Sequence, residues 1–151
     1  MLGRLYESEN CSAARALELV GERWSLLILR NAAFAGHTRF SEFERALGIA
    51  PNILASRLES FLAAGLMVLR PNAEHKGQNE YVLTDKGRDF VPALVALTRW
   101  GDRWSAPDGP PIVYQHQTCG GEIDLQLHCR ACHALMAPAD VEALPGPAFS
   151  I

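Results

Sequence analysis

The stretch FSEFERALGIAPNILASRLESFLAAGLMVLRPNAEHKGQNEYVL, residues 40–83, decides the fold. Its first part predicts a short helix over Ser41–Leu47. Ser41 is an N-cap residue type, Glu44 stands three places on to complete a capping box, and Phe43, Ala46 and Leu47 share the buried side. Gly48 stops that helix, and Ile49 is placed to plug the angle between it and the next. Pro51 suits the start of a second helix, where a missing N–H costs nothing.

From Pro51 to Ala64 the apolar residues Leu54, Leu58, Phe61 and Leu62 recur at helical spacing. Asn52, Ala55, Ser56, Arg57, Glu59 and Ser60 occupy the rest of that surface. Gly65 stands where a glycine caps a helix C-terminus, and Leu66–Leu69 is an apolar run short enough for a strand. Arg70–Asn79 is a polar tip, and Glu80–Leu83 returns as the second strand. Helix, turn, helix and β-hairpin in this order make a winged helix-turn-helix, whose second helix enters the major groove while the hairpin lies beside the duplex. On this reading Asn52, Ile53, Ser56 and Arg57 face base edges, and Lys76 and Asn79 face the DNA backbone or minor groove.

Working outward, Ser12–Val20 and Glu22–Ala33 read as helices, the second apolar on most sides as a central core helix would be. Thr84 is an N-cap for a long helix through about Arg103, with Phe90, Leu94, Leu97, Gly101 and Trp104 at near-heptad spacing. Pro92 within it marks either a kink or the true first turn. The fold class is thus mainly α with a small β-wing. Helices flanking a DNA-reading core commonly build a two-fold dimer that matches a two-fold site. Trp24, Trp100 and Trp104 are read as core or dimer packing, and His37 and His75 as solvent-facing loop residues.

Length and composition fit a globular domain with an appendage. The chain has 151 residues, 48% hydrophobic and 21% charged, which excludes a disordered chain. The longest apolar candidate, Trp24–Ala35, is interrupted by Ser25, Arg30 and Asn31 and does not reach bilayer length, so no membrane partner is expected. The N-terminus carries no basic-then-apolar leader, which predicts a cytoplasmic protein. The net charge of −3 argues against non-specific nucleic-acid binding by the whole chain. Even in residues 40–83, Arg45, Arg57, Arg70 and Lys76 are matched by Glu42, Glu44, Glu59, Glu74 and Glu80, so a positive surface requires folding that turns the acids away.

A linker rich in proline and glycine, residues 105–111, leads to a second informative segment. His116-x-x-Cys119 and Cys129-x-x-Cys132 are separated by nine residues. Two such pairs on a hairpin set four ligands at the corners of a tetrahedron, as in a zinc ribbon. Gly120 and Gly121 supply the freedom a tight turn needs after the first pair, and Ile123–Leu127 alternates as a strand does. Zinc is the expected cofactor, supporting a hairpin whose small core would be Ile123, Leu125, Leu127, Leu135 and Val141. Two other readings stay open: a ribbon folded on its apolar residues without metal, and a thiol cluster that oxidises to a disulfide. His128 and His133 are read as bystanders.

The chain also resembles a family. Cys11, Val20-Gly21-Glu22-Arg23-Trp24, Ile28-Leu29-Arg30, Arg39-Phe40 through Phe43, Leu47-Gly48-Ile49, Arg57-Leu58, Glu80-Tyr81-Val82-Leu83-Thr84 with Gly87, and Trp100-Gly101-Asp102-Arg103-Trp104 are similar to the HxlR-type transcriptional regulators. The resemblance implies a small bacterial winged-helix regulator, akin in architecture to the MarR group, that binds operator DNA as a homodimer through helices from both chain ends. Some such regulators respond to electrophiles or oxidants through a cysteine near the N-terminus, and Cys11 stands at that place as the redox-sensing candidate. On residue type alone, Cys11 reads as a small buried hydrophobe at a helix start. The wing departs from the family pattern at Gln78, where members often carry a basic residue, leaving Lys76 and His75 nearby.

These readings divide the chain into a DNA-binding and dimerisation domain, residues 1–104, a linker, residues 105–111, and a zinc-ribbon-like extension, residues 112–151. The expected function is a transcriptional regulator, read as a repressor, whose partners are double-stranded DNA, a second copy of the chain and a small-molecule or electrophile effector. No nucleophile with its base and no paired carboxylates are in view, and four protein ligands leave zinc no open position, so an enzyme is not expected. The alternative is a protein–protein adaptor built on a winged helix with a zinc ribbon.

Overall fold

In the computed structural model, which describes residues 11–72, 75 and 77–148, two left-handed glycines set the corners of the winged helix, Gly48 at φ 59° and Gly65 at φ 68°. Gly48 ends α3 (Phe40–Leu47), its N–H donating to the Glu44 carbonyl at 2.9 Å. Ile49 is buried in the angle that follows, and Pro51 opens α4 (Pro51–Ala63). The far end of α4 closes as a Schellman motif: Leu66 N–H reaches the Phe61 carbonyl at 2.9 Å, and Gly65 N–H reaches that of Leu62 at 3.1 Å. Leu66 and Phe61 both enter the core, which is the apolar contact that accompanies this motif.

The start of α3 corrects the sequence reading. Arg39, not Ser41, is the N-cap residue, and Glu42, not Glu44, closes the first turn. One Glu42 carboxylate oxygen accepts from the Thr38 and Arg39 N–H groups at 2.9 and 3.0 Å, and the other accepts two bonds from the Arg39 guanidinium at 2.9 and 2.6 Å. Charge-assisted bonds of this kind outweigh a neutral serine hydroxyl. Ser41 is left exposed on the first turn, and Ala46 is exposed as well.

The core lies where α1 (Ser12–Val20) and α2 (Arg23–Phe34) meet α3 and α4. Ile28, Leu29, Phe43, Leu54, Leu58 and Phe61 are almost wholly removed from water, each contributing about 1.5–3 kcal/mol of burial. The wing is longer than its sequence reading. β1 (Met67–Pro71) pairs antiparallel with β2 (Asn79–Leu83), from Met67 opposite Leu83 to Pro71 opposite Asn79. Tyr81 N–H donates to the Thr38 carbonyl at 2.7 Å, which ties the wing to the loop before α3.

The long helix expected from Thr84 is broken in two, α5 (Asp85–Arg88) and α6 (Val91–Ser105). Pro92 falls in the first turn of α6, where its absent N–H leaves no bond unmade. Thr84 does cap a helix, accepting from Gly87 N–H at 3.2 Å, while its hydroxyl donates to the Gly65 carbonyl at 2.6 Å. Gly87 packs so tightly there that a Cβ would stand 2.2 Å from the Leu66 carbonyl oxygen. The wing thus ends pinned against the C-terminus of α4.

One compact unit ends at Leu94 and a second begins at Val95. Within the second, Val95 is the one buried residue among those described. Ile123, Leu125, Leu127, Leu135 and Val141, expected as a small core, are all exposed. The expected strand over Ile123–Leu127 shrinks to β3 (Leu127–His128), paired with β4 (Leu135–Met136), because no apolar layer lies beneath the earlier residues to hold them extended. Polar contacts hold the tail to α6 instead. Arg99 pairs with Asp124 at 3.3 Å and also donates to the Ile123 carbonyl, and the Thr98 and Tyr114 hydroxyls lie 3.4 Å apart. No helix of the described residues is long and apolar enough to cross a membrane.

Candidate nucleic-acid interface

Burial of Leu54, Leu58 and Phe61 turns the opposite side of α4 outward. That side presents Asn52, Ile53 and Ser56, all exposed, followed by Glu59, Ser60 and Ala63. The Ser60 hydroxyl donates to the Ser56 carbonyl at 2.8 Å, leaving the Ser56 side chain free of that bond. Arg57 lies on the flank rather than the open face. Its guanidinium is 3.5 Å from Glu22, at the N-cap of α2, with the two side chains 23% and 29% exposed. The Arg57 Nε is buried without a hydrogen-bond partner, so the ion pair satisfies only part of the guanidinium.

The wing supplies the second part of the surface. Asn79, at the first position of β2, is exposed, while Lys76 lies outside the described residues. Two of the acids that oppose a positive surface in the sequence are held inside local networks. Glu80 accepts from the Asn72 amide at 2.9 Å and is 3.2 Å from the Thr38 hydroxyl. Glu42 is held by the Thr38 N–H, the Arg39 N–H and the Arg39 guanidinium, which lower its carboxyl from 4.5 to about 2. Arg45 and Arg70 are exposed and make no ion pair with a described residue. The sequence names these two among its basic groups without placing them on the DNA-facing surface, because their signal is exposure, which periodicity in a short helix and strand does not settle. Glu59 remains exposed on α4 and opposes them.

Two further residues stand apart from their sequence reading. Cys11 is exposed at the N-cap of α1 rather than buried, because the α1 core contact is made by Ala14 and Val20. His37 is half-buried rather than fully solvent-facing: its ring meets Phe43 edge-on at 5.9 Å, and its Nδ1 is buried with no hydrogen-bond partner. The ring also lines a cavity of about 430 Å³ with Ala33, Thr38, Tyr81, Arg88 and Val91.

In the tail, His116 Nδ1 lies 3.3 Å from Cys119 Sγ. The neighbouring N–H groups of Cys132 and Ala131, with the Cys132 thiol, hold the Cys129 thiol below its ordinary value. All four cysteines are free. Among the described residues, no three His, Cys, Asp or Glu side chains gather at one point able to hold a metal ion, so the two pairs stand as separate halves.

The sequence pattern described as HxlR-like helix-turn-helix matches residues 19–109. An HTH-type transcriptional regulator of Mycobacterium tuberculosis is 44% identical over 98% of this chain and 92% of its own length. The crystal structure of PA1607 is 38% identical, superposes with a TM-score of 0.83, and covers 93% of this chain and 99% of that one. Both matches extend through the tail. The redox regulator HypR in its oxidised form is 26% identical with a TM-score of 0.52, covering 62% of this chain and 96% of that one. With the pattern spanning more than half of its length and near-full-length similarity to an HTH-type regulator, the chain belongs to the HxlR-like helix-turn-helix family of transcriptional regulators.

Proposed function

We propose that this chain is a homodimeric repressor that binds a pseudo-palindromic operator, with α4 in the major groove and the wing along the backbone. The observation that carries the reading is the division of α4: Leu54, Leu58 and Phe61 are buried, and Asn52, Ile53 and Ser56 are presented to solvent. Short polar side chains at the start of such a helix are the groups that reach base edges. Arg57 joins them by exchanging Glu22 for DNA, an exchange favoured by its half-satisfied guanidinium. Lys76, Asn79, Arg45 and Arg70 serve the backbone.

Dimerisation is supported by the apolar stripe of α6. Leu97, Trp100 and Trp104 recur at helical spacing and are 49%, 62% and 64% exposed in the single chain. Large aromatic side chains at such exposure mark an interaction face. The response to oxidants or electrophiles is assigned to Cys11, on its exposure at a helix start and on the similarity to HypR, a redox regulator. A small-molecule effector has room in the cavity beside His37 and Tyr81.

Selection of bound duplexes from a random library tests the central reading. The expected product is a dyad-symmetric site with half-sites roughly 10 base pairs apart or a multiple of that. Failure to enrich any site, with no salt-dependent gel shift, supports instead a protein–protein adaptor on a winged-helix scaffold.

A further inference from the structure

The tail contains the same turn twice. In the first copy, His116 N–H donates to the Gly121 carbonyl and Gly120 N–H donates to the His116 carbonyl, both at 2.8 Å. In the second, Cys129 N–H donates to the Ala134 carbonyl at 3.0 Å and His133 N–H donates to the Cys129 carbonyl at 2.9 Å. Position for position, His116 matches Cys129, Cys119 matches Cys132, Gly120 matches His133, and Gly121 matches Ala134. The matched fifth residues share the left-handed conformation, Gly120 at φ 69° and His133 at φ 58°.

His133 is the one non-glycine residue with positive φ among those described. A side chain costs energy there, and such strain persists where a particular backbone path is required. Here the path places the first and fourth residues of the first turn on the same side, as the 3.3 Å approach of His116 Nδ1 to Cys119 Sγ records, and the matching backbone bonds give the second turn the same path. Neither burial nor a disulfide accounts for holding two such turns, since the tail has no buried apolar residue among those described and its cysteines are free.

We propose that the two turns are the halves of one closed zinc site, with His116, Cys119, Cys129 and Cys132 as ligands and His128 and His133 as bystanders, and that loading fixes the tail on α6. Three thiolates and one imidazole meet the tetrahedral preference of zinc. No buried apolar residue of the tail, among those described, has to be rearranged to bring the halves together. The segment between the halves carries Ile123 and Asp124, the residues held by Arg99, so drawing the halves together fixes the part of the tail that touches α6. Binding supplies the folding free energy that a tail of this size lacks.

The test uses the full chain, purified without an affinity tag or chelator. Elemental analysis is expected to give one zinc per chain. Cobalt(II) added to the zinc-stripped protein is expected to give the intense visible and near-ultraviolet bands of tetrahedral thiolate ligation. Cys119→Ser and Cys129→Ser should each abolish those bands, since each removes one ligand from a different half, whereas His128→Ala and His133→Gly should keep them. A measurement on unaltered protein guards against misfolded variants: zinc should protect three thiols per chain from alkylation and leave Cys11 reactive. Protein that takes up no zinc, octahedral cobalt spectra, or retention of the bands in Cys119→Ser would overturn the proposal.

Discussion

Arg57 carries two competing interactions, and its mutants separate them. If it leaves Glu22 to make a bidentate base contact, Arg57→Ala weakens binding to a selected site by about 1–3 kcal/mol, while Glu22→Gln leaves affinity unchanged or raises it. A purely positioning ion pair would make both variants weaken binding alike, so fluorescence anisotropy on the two proteins decides the role. Glu42 is a stability residue on the same scale. Its carboxyl lies at about 2 against an ordinary 4.5, so the stabilisation is complete above about pH 4.5 and is lost as pH falls toward 2. Glu42→Gln should cost about 1–2 kcal/mol near neutral pH, and urea melts should show the gap from the wild type closing in acid.

At the scale of elements, α6 and the wing do different work. An aspartate in place of Leu97 or Trp100 would put an unpaired charge into the proposed dimer contact. Because both side chains are substantially exposed in the single chain, the fold should survive and the dimer should not. Light scattering at low micromolar concentration is expected to report monomers; a persistent dimer would move the interface elsewhere. The wing is expected to act through charge. Arg70→Ala and Lys76→Ala should each lower the slope of log affinity against log salt by about one unit and affect all sequences equally. A loss confined to one operator would assign them base contacts instead.

For the whole molecule, the formal charge of −3 is a poor guide to the surface, because Glu22, Glu42 and Glu80 are engaged by Arg57, Arg39, Thr38 and Asn72. Cys11 is the group through which chemistry outside the DNA surface is expected to reach it. Mild peroxide or a quinone should release DNA from the wild type and not from Cys11→Ser. Equal release from both proteins would assign the response to Cys119, Cys129 and Cys132.

Much of this was legible from local pattern. Leu54, Leu58 and Phe61 at helical spacing, Gly48 and Gly65 at the corners and Pro51 at a helix start all follow from backbone constraints within a few residues, which sequence states directly. Tertiary structure alone decided what depends on distant partners. The cap of α3 went to Glu42 because Arg39 and two N–H groups converge on its carboxylate, and the helix after Thr84 was interrupted between Arg88 and Val91 while its start was latched to the end of α4. Exposure of Cys11, partial burial of His37, engagement of Arg57 by Glu22 and the exposure of Ile123, Leu125 and Leu127 were decided in the same way. Periodicity says which residues share a face; only the packed chain says what that face meets.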